Sequence, residues 1–146
     1  AGVKSALAKI ATRHSADITK GEADAMATFW HEITHNRNKP GNMYLTDTQR
    51  RYMELANEFV SRKTLPEFYK KLGCSKTPYP EFITNRNSTG YNTMVNNYDW
   101  VISNFGLDAN KVLATVKRNL YNEVLFRPIN RIETRFVRWW VKTLRR

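Results

Sequence analysis

Two of the three histidines in this chain, His31 and His35, stand four residues apart with Glu32 between them, in Phe29-Trp30-His31-Glu32-Ile33-Thr34-His35. The pattern is H-E-x-x-H. On a helix, side chains at this spacing lie one turn apart on the same face. Two imidazoles so placed can grip one Zn²⁺, and the glutamate between them can activate a metal-bound water. The chemistry expected of such a site is hydrolysis of a peptide bond. Without a metal, the same residues are one turn of an amphipathic helix.

Two histidines do not complete a catalytic zinc site, which uses three protein ligands and leaves one position for water. The remaining histidine, His14, precedes the motif on a different element. A carboxylate is the better candidate for the third ligand. Glu54 and Glu58 both fit, because a helix returning antiparallel after the loop at 36–46 brings them to the histidine face. Both also flank Arg50, Arg51 and Arg62, with which they can form ordinary ion pairs along the helix. A hydrolytic site further needs a group to stabilise an oxyanion. Tyr44, Tyr52, Tyr91, Tyr98 and His14 are the candidates.

The elements that must position these groups read as helices. Residues 3–13 suit a short amphipathic helix through Val3, Leu7, Ala8, Ile10 and Ala11. Thr19-Lys20-Gly21-Glu22 has the T-x-x-E form of a capping box and predicts a helix start near Gly21. Met26, Phe29, Trp30 and Ile33 give that helix its apolar stripe, with His31 and His35 at the edge. Pro40-Gly41 marks a turn. A second box, Thr46-Asp47-Thr48-Gln49, opens a helix to about Lys63, with Tyr52, Leu55, Phe59 and Val60 facing the core. A third, Thr64-Leu65-Pro66-Glu67, predicts a separate short helix that Gly73 ends. Residues 74–90 are mostly loop. Helices are expected at Asn92–Phe105 and, capped by Asp108, onward to about Phe126. Strand signals are weak; the best is Gly41–Leu45. The expectation is a mostly α, compact helical domain with little or no β-sheet. Residues 1–126 form the core, and residues 127–146 form a basic amphipathic helix packed on it or on a partner.

The spacing around the candidate ligands resembles that of gluzincin metallopeptidases. In one common form of that family, eighteen residues separate the second histidine from a glutamate on a following helix, and His35 and Glu54 stand at that separation. Glu54-Leu55-Ala56-Asn57-Glu58-Phe59-Val60, followed by Leu65-Pro66, is similar to the E-x-x-A-N-x-F-A…L-x-P pattern of ImmA/IrrE-type metallopeptidases. The likeness covers about residues 24–66. It implies His31, His35 and Glu54 as zinc ligands, Glu32 as general base, and a protein or peptide substrate. Glu58 stays as the alternative third ligand on the residues alone. That family sets a small sheet ahead of its active helix, whereas residues 1–30 here read as helix and loop.

Charge points to a second reading. The chain of 146 residues carries 24 basic and 13 acidic residues, a net charge of +11. Residues 101–146 hold 10 basic and 3 acidic residues, so +7 of that surplus lies in the last third. Such a surface attracts nucleic acid or an acidic protein. Residues 64–86 resemble a helix-turn-helix, with Ser75 as an N-cap and Lys76 and Thr77 opening a recognition helix. In the tail, Arg131, Arg135, Arg138 and Lys142 line up beside Trp139 and Trp140, suited to phosphates and bases. A non-catalytic subunit of a larger assembly would share the same charge. No apolar run is long enough to span a membrane, and the first residues lack the apolar core of a signal peptide. The lone cysteine, Cys74, excludes an intrachain disulfide, suits a reducing compartment and leads us to expect a cytoplasmic protein.

Overall fold

The computed structural model describes residues 1–37, 46–86 and 92–122. Among them are five α-helices and no strand: α1 (Gly2–Ala11), α2 (Lys20–Asn36), α3 (Asp47–Lys71), α4 (Asn92–Asn104) and α5 (Ala109–Asn122). Two short 3₁₀ turns, Ser15–Asp17 and Pro80–Ile83, sit in the connections. The mostly α fold expected from the sequence is the fold observed.

The start of α2 is fixed by local chemistry. Thr19 accepts from the Glu22 backbone N–H, and the Glu22 carboxylate accepts from the Thr19 N–H, so both halves of the capping box form. Glu22 also fastens α1 across the helix pair: Lys9 Nζ lies 2.7 Å from its carboxylate, and Ser5 donates to it. The contact is close at the start of α1 too. A Cβ on Gly2 would stand 2.9 Å from the Ala25 Cβ, so glycine is what lets the two backbones approach.

The spine is α3. At 1.5 Å per residue its 25 residues span about 37 Å, and each half anchors a different core. Its C-terminal half, through Leu65, Phe68 and Tyr69, packs with Ala6, Met26, Ala27 and Trp30 of α1 and α2 and with Phe82 of the second 3₁₀ turn. Its N-terminal half, through Met53, Ala56, Phe59 and Val60, packs with Val95, Val101 and Ile102 of α4 and Val112, Val116 and Leu120 of α5. Burial of these side chains drives assembly at about 25 cal/mol for each Å² of apolar surface.

The predicted break at Thr64 does not occur. Pro66 lies inside α3, and the helix runs on to Lys71. A proline costs a helix interior one N–H donor and a tight ring contact, but the residues around it are locked in tertiary packing. Thr64 Oγ1 donates to the Val60 carbonyl at 2.7 Å and accepts the buried Trp30 Nε1 at 2.9 Å. Trp30 and Phe68 stack at 4.5 Å. A threonine read as a cap is thus a side-chain bridge between α2 and α3.

The helix-turn-helix expected over residues 64–86 is absent. Gly73, at φ 93°, ends α3 in the left-handed region. Ser75, Lys76 and Thr77 then lie in irregular chain rather than in the first turn of a helix, and the next ordered element is the 3₁₀ turn at Pro80. Phe82 inserts into the α1–α2–α3 core and pins this segment down, which leaves no helix free to enter a groove there. The tail residues Arg131, Arg135, Arg138 and Lys142 and the possible strand at Gly41–Leu45 lie outside the described residues. Gly106, at φ 62°, ends α4, and the Asp108 carboxylate accepts the N–H groups of Asn110 and Lys111 to start α5.

Candidate metal centre

The middle of α2 faces a polar stripe on α3. Glu54, Glu58 and Arg62 recur at four-residue spacing and so share one face of α3. His31 and His35 share one face of α2 for the same reason. The helices pack so that these faces meet. His35 Nε2 lies 3.0 Å from Glu54 Oε2, and His31 Nε2 lies 3.6 Å from the same oxygen. The two imidazoles sit edge to face, 4.8 Å between centroids. Side-chain exposures of 12% for His31, 18% for His35 and 30% for Glu54 leave the cluster sheltered but reachable from solvent.

The donor set fits a metal ion. One ligand atom from each of His31, His35 and Glu54 lies within 4.8 Å of the others. Tetrahedral zinc with bonds near 2.05 Å separates its ligand atoms by about 3.3 Å. The two nitrogen–oxygen edges, 3.0 and 3.6 Å, bracket that value. The third edge, between the two imidazole nitrogens, is no longer than 4.8 Å. Two imidazoles and one carboxylate are borderline ligands of the kind zinc accepts.

Glu58, the alternative third ligand, does a different job. His31 Nδ1 donates to Glu58 Oε2 at 2.5 Å, on the far side of the ring from Glu54. Its other oxygen accepts from Arg62 Nε at 2.7 Å, and Arg86 approaches it to 3.6 Å. Glu58 is fully buried and occupied on both oxygens. It keeps a proton on His31 Nδ1, so that when the ring is neutral Nε2 is the nitrogen left free to bind a metal. Asn57 adds a backbone hold, its Nδ2 donating to the His31 carbonyl at 3.1 Å.

The electrostatics follow from these contacts. Burial works against a charge on His31, but the carboxylates of Glu54, 3.6 Å from Nε2, and Glu58, hydrogen-bonded to Nδ1, prevail and raise it to about 9. The imidazoles of His31, at 3.6 Å, and His35, hydrogen-bonded at 3.0 Å, hold Glu54 down at about 2. Burial pushes Glu58 upward, yet the bonds from His31 and Arg62 leave it lowered. The metal-free site is therefore a carboxylate–imidazolium cluster in which a proton stands where a cation would.

Glu32 lies next to His31 in α2 and is exposed. Of the oxyanion candidates, Tyr98 stacks on Phe59 at 4.4 Å in the α3–α4 core. His14 follows the end of α1, where its Nδ1 pairs with Thr12 Oγ1. Neither belongs to the cluster. Tyr44, Tyr91 and the Tyr52 side chain lie outside the described residues.

Arg86 and Asn92 were not singled out by the sequence pattern, and Arg62 was read only as an ordinary helix ion-pair partner. Arg62 and Arg86 keep 2% and 3% exposure, rare for a residue type that seldom leaves water unless paired. Asn92 Oδ1 accepts from Arg62 Nη1 and from the Arg86 backbone N–H, each at 2.8 Å. The one available signal was Arg62 four residues after Glu58, a pairing that looks like a solvated helix contact when no burial is known.

No protein-family model, no curated protein and no solved structure matches this chain. Among the described residues, no helix is long and apolar enough to cross a membrane.

Proposed function

We propose that this protein is a zinc-dependent peptide hydrolase in which His31, His35 and Glu54 hold the metal and Glu32 is the general base. The observation that carries this reading is the convergence of Glu54 on both imidazoles, with separations close to the edges of a zinc tetrahedron. A bound zinc ion supplies the electrophile that polarises the scissile carbonyl and acidifies the attacking water. The chain supplies the rest. Glu58 orients His31, Asn57 holds the backbone beneath it, and the exposed Glu32 takes the proton of the attacking water and returns it to the leaving amine. The net charge of +11 favours substrates with acidic surfaces.

The test is cleavage of a peptide mixture by the zinc-loaded protein, read as new termini by mass spectrometry. The expected result is cleavage that Glu32→Gln lowers by roughly 10²- to 10⁴-fold while zinc content stays the same, the range for loss of a general base. Absence of cleavage by the zinc-loaded protein, or equal cleavage by the variant, overturns the hydrolytic reading.

A further inference from the structure

We infer that Arg86 is a positioning residue for the metal centre, acting through Glu58 on His31. The inference rests on the metal-binding reading above and extends it to a residue 55 positions beyond the histidine it governs.

Burying a guanidinium costs several kcal/mol unless its charge and donors are matched. Arg86, at 3% exposure, is matched on two helices at once. On α2 its Nε lies 3.1 Å from Asp24 Oδ1, and its Nη2 donates to Thr28 Oγ1 at 2.5 Å and to the Asp24 carbonyl at 3.3 Å. Toward α3 its Nη1 stands 3.6 Å from Glu58 Oε1. Its backbone N–H donates to Asn92 at the start of α4. One side chain thus spans from the first half of α2 to the carboxylate that orients His31.

The placement has a consequence for the ligands. His31 and His35 lie on α2, and Glu54 lies on α3, so convergence depends on the approach of the two helices. Arg86 bridges that approach one to two turns below His31. It also shares Glu58 Oε1 with Arg62, so the two cations hold this carboxylate away from the metal and turned toward Nδ1. A free Glu58 could swing to serve as a fourth protein ligand and close the site to water. Held as it is, it leaves three protein ligands and an open position, the arrangement of a catalytic rather than a structural zinc site. Removing such outer partners typically lowers metal affinity by about 10- to 100-fold.

The experiment measures zinc affinity by competition with a chelating dye for the full chain, for Arg86→Gln, Glu58→Gln and the double variant, and for Arg86→Lys. Helical circular dichroism and melting of each metal-free protein report folding separately. The cobalt-substituted proteins give the visible spectrum of the ligand field. The expected result is a loss of about tenfold or more in Arg86→Gln and in Glu58→Gln, with less than about twofold further loss in the double variant. Arg86→Lys, which keeps the charge, recovers part of the loss. The cobalt spectrum changes in Arg86→Gln because the ligand geometry changes. If Arg86→Gln unfolds the chain, Arg86→Lys alone decides. Unchanged affinity and cobalt spectrum in the folded variant overturn the inference, as do losses that add in the double variant. If the wild-type protein takes up no zinc, the metal reading falls first and takes this inference with it. Zinc uptake with no effect at Arg86 overturns the inference alone.

Discussion

The two nitrogens of His31 face opposite carboxylates: Nδ1 donates to the fully buried Glu58 at 2.5 Å, and Nε2 looks toward the part-exposed Glu54 at 3.6 Å. In the proposed zinc site, this asymmetry separates an orienting carboxylate from a ligating one. Both glutamates belong to one stripe of α3, yet only Glu54 also reaches His35. The position of Glu58, four residues further along and under two arginines, makes it the anchor of the ring rather than a donor to a metal.

In the proposed zinc site, a proton and the metal compete for His31. His31 is raised to about 9 in the metal-free protein, and a metal ligand must be deprotonated. Zinc affinity should therefore rise with pH between about 6.5 and 9, and about one proton per chain should be released on binding near neutral pH. Calorimetry in buffers of different ionisation enthalpy measures this release. The metal-free fold shows the opposite dependence. A raised folded-state value contributes stability that is fully present below about 6.5 and disappears as pH climbs through about 9. Urea melts of chelator-treated protein across that window should show the decline.

The Glu58–Arg62 pair should matter far more than an ion pair on the surface. Arg62→Met strips a buried carboxylate of its closest arginine and should cost about 3–5 kcal/mol. Lys71→Ala removes a partner of Glu67 in an exposed pair with side-chain exposures of 67% and 57%, and should cost under about 0.5 kcal/mol. Denaturant unfolding of the two variants checks the contrast.

Thr19→Ala should cost about 1 kcal/mol, the usual loss for an N-cap, because it orphans the Glu22 N–H at the start of α2. The cap lies three turns from His31, so zinc affinity should stay within about twofold of wild type. Parallel melts and zinc titrations separate the two quantities.

The helices around the site were legible because their signals are local. The Thr19 capping box, the Gly106 stop and the Asp108 cap need only neighbours in sequence to act. The relation of His31, His35 and Glu54 was also legible, since one-turn spacing on each of two antiparallel helices leaves few ways for the faces to meet. Three features were hidden. Thr64-Leu65-Pro66-Glu67 carries the letters of a helix start, but the Trp30 indole fixes Thr64 from another helix. Lys76 and Thr77 follow a plausible turn, but Phe82 prefers the core to a recognition helix. The roles of Arg62 and Arg86 depend on burial by distant elements, and nothing in their neighbours distinguishes them from solvated arginines.

The most direct measurement of the central claim is metal content after equilibrium dialysis against zinc, by elemental analysis of wild type, His31→Ala and Glu54→Ala. The account predicts about one zinc per wild-type chain and loss of that zinc in both variants, while both remain helical. A wild-type chain without zinc, or variants that keep it in full, would contradict the site.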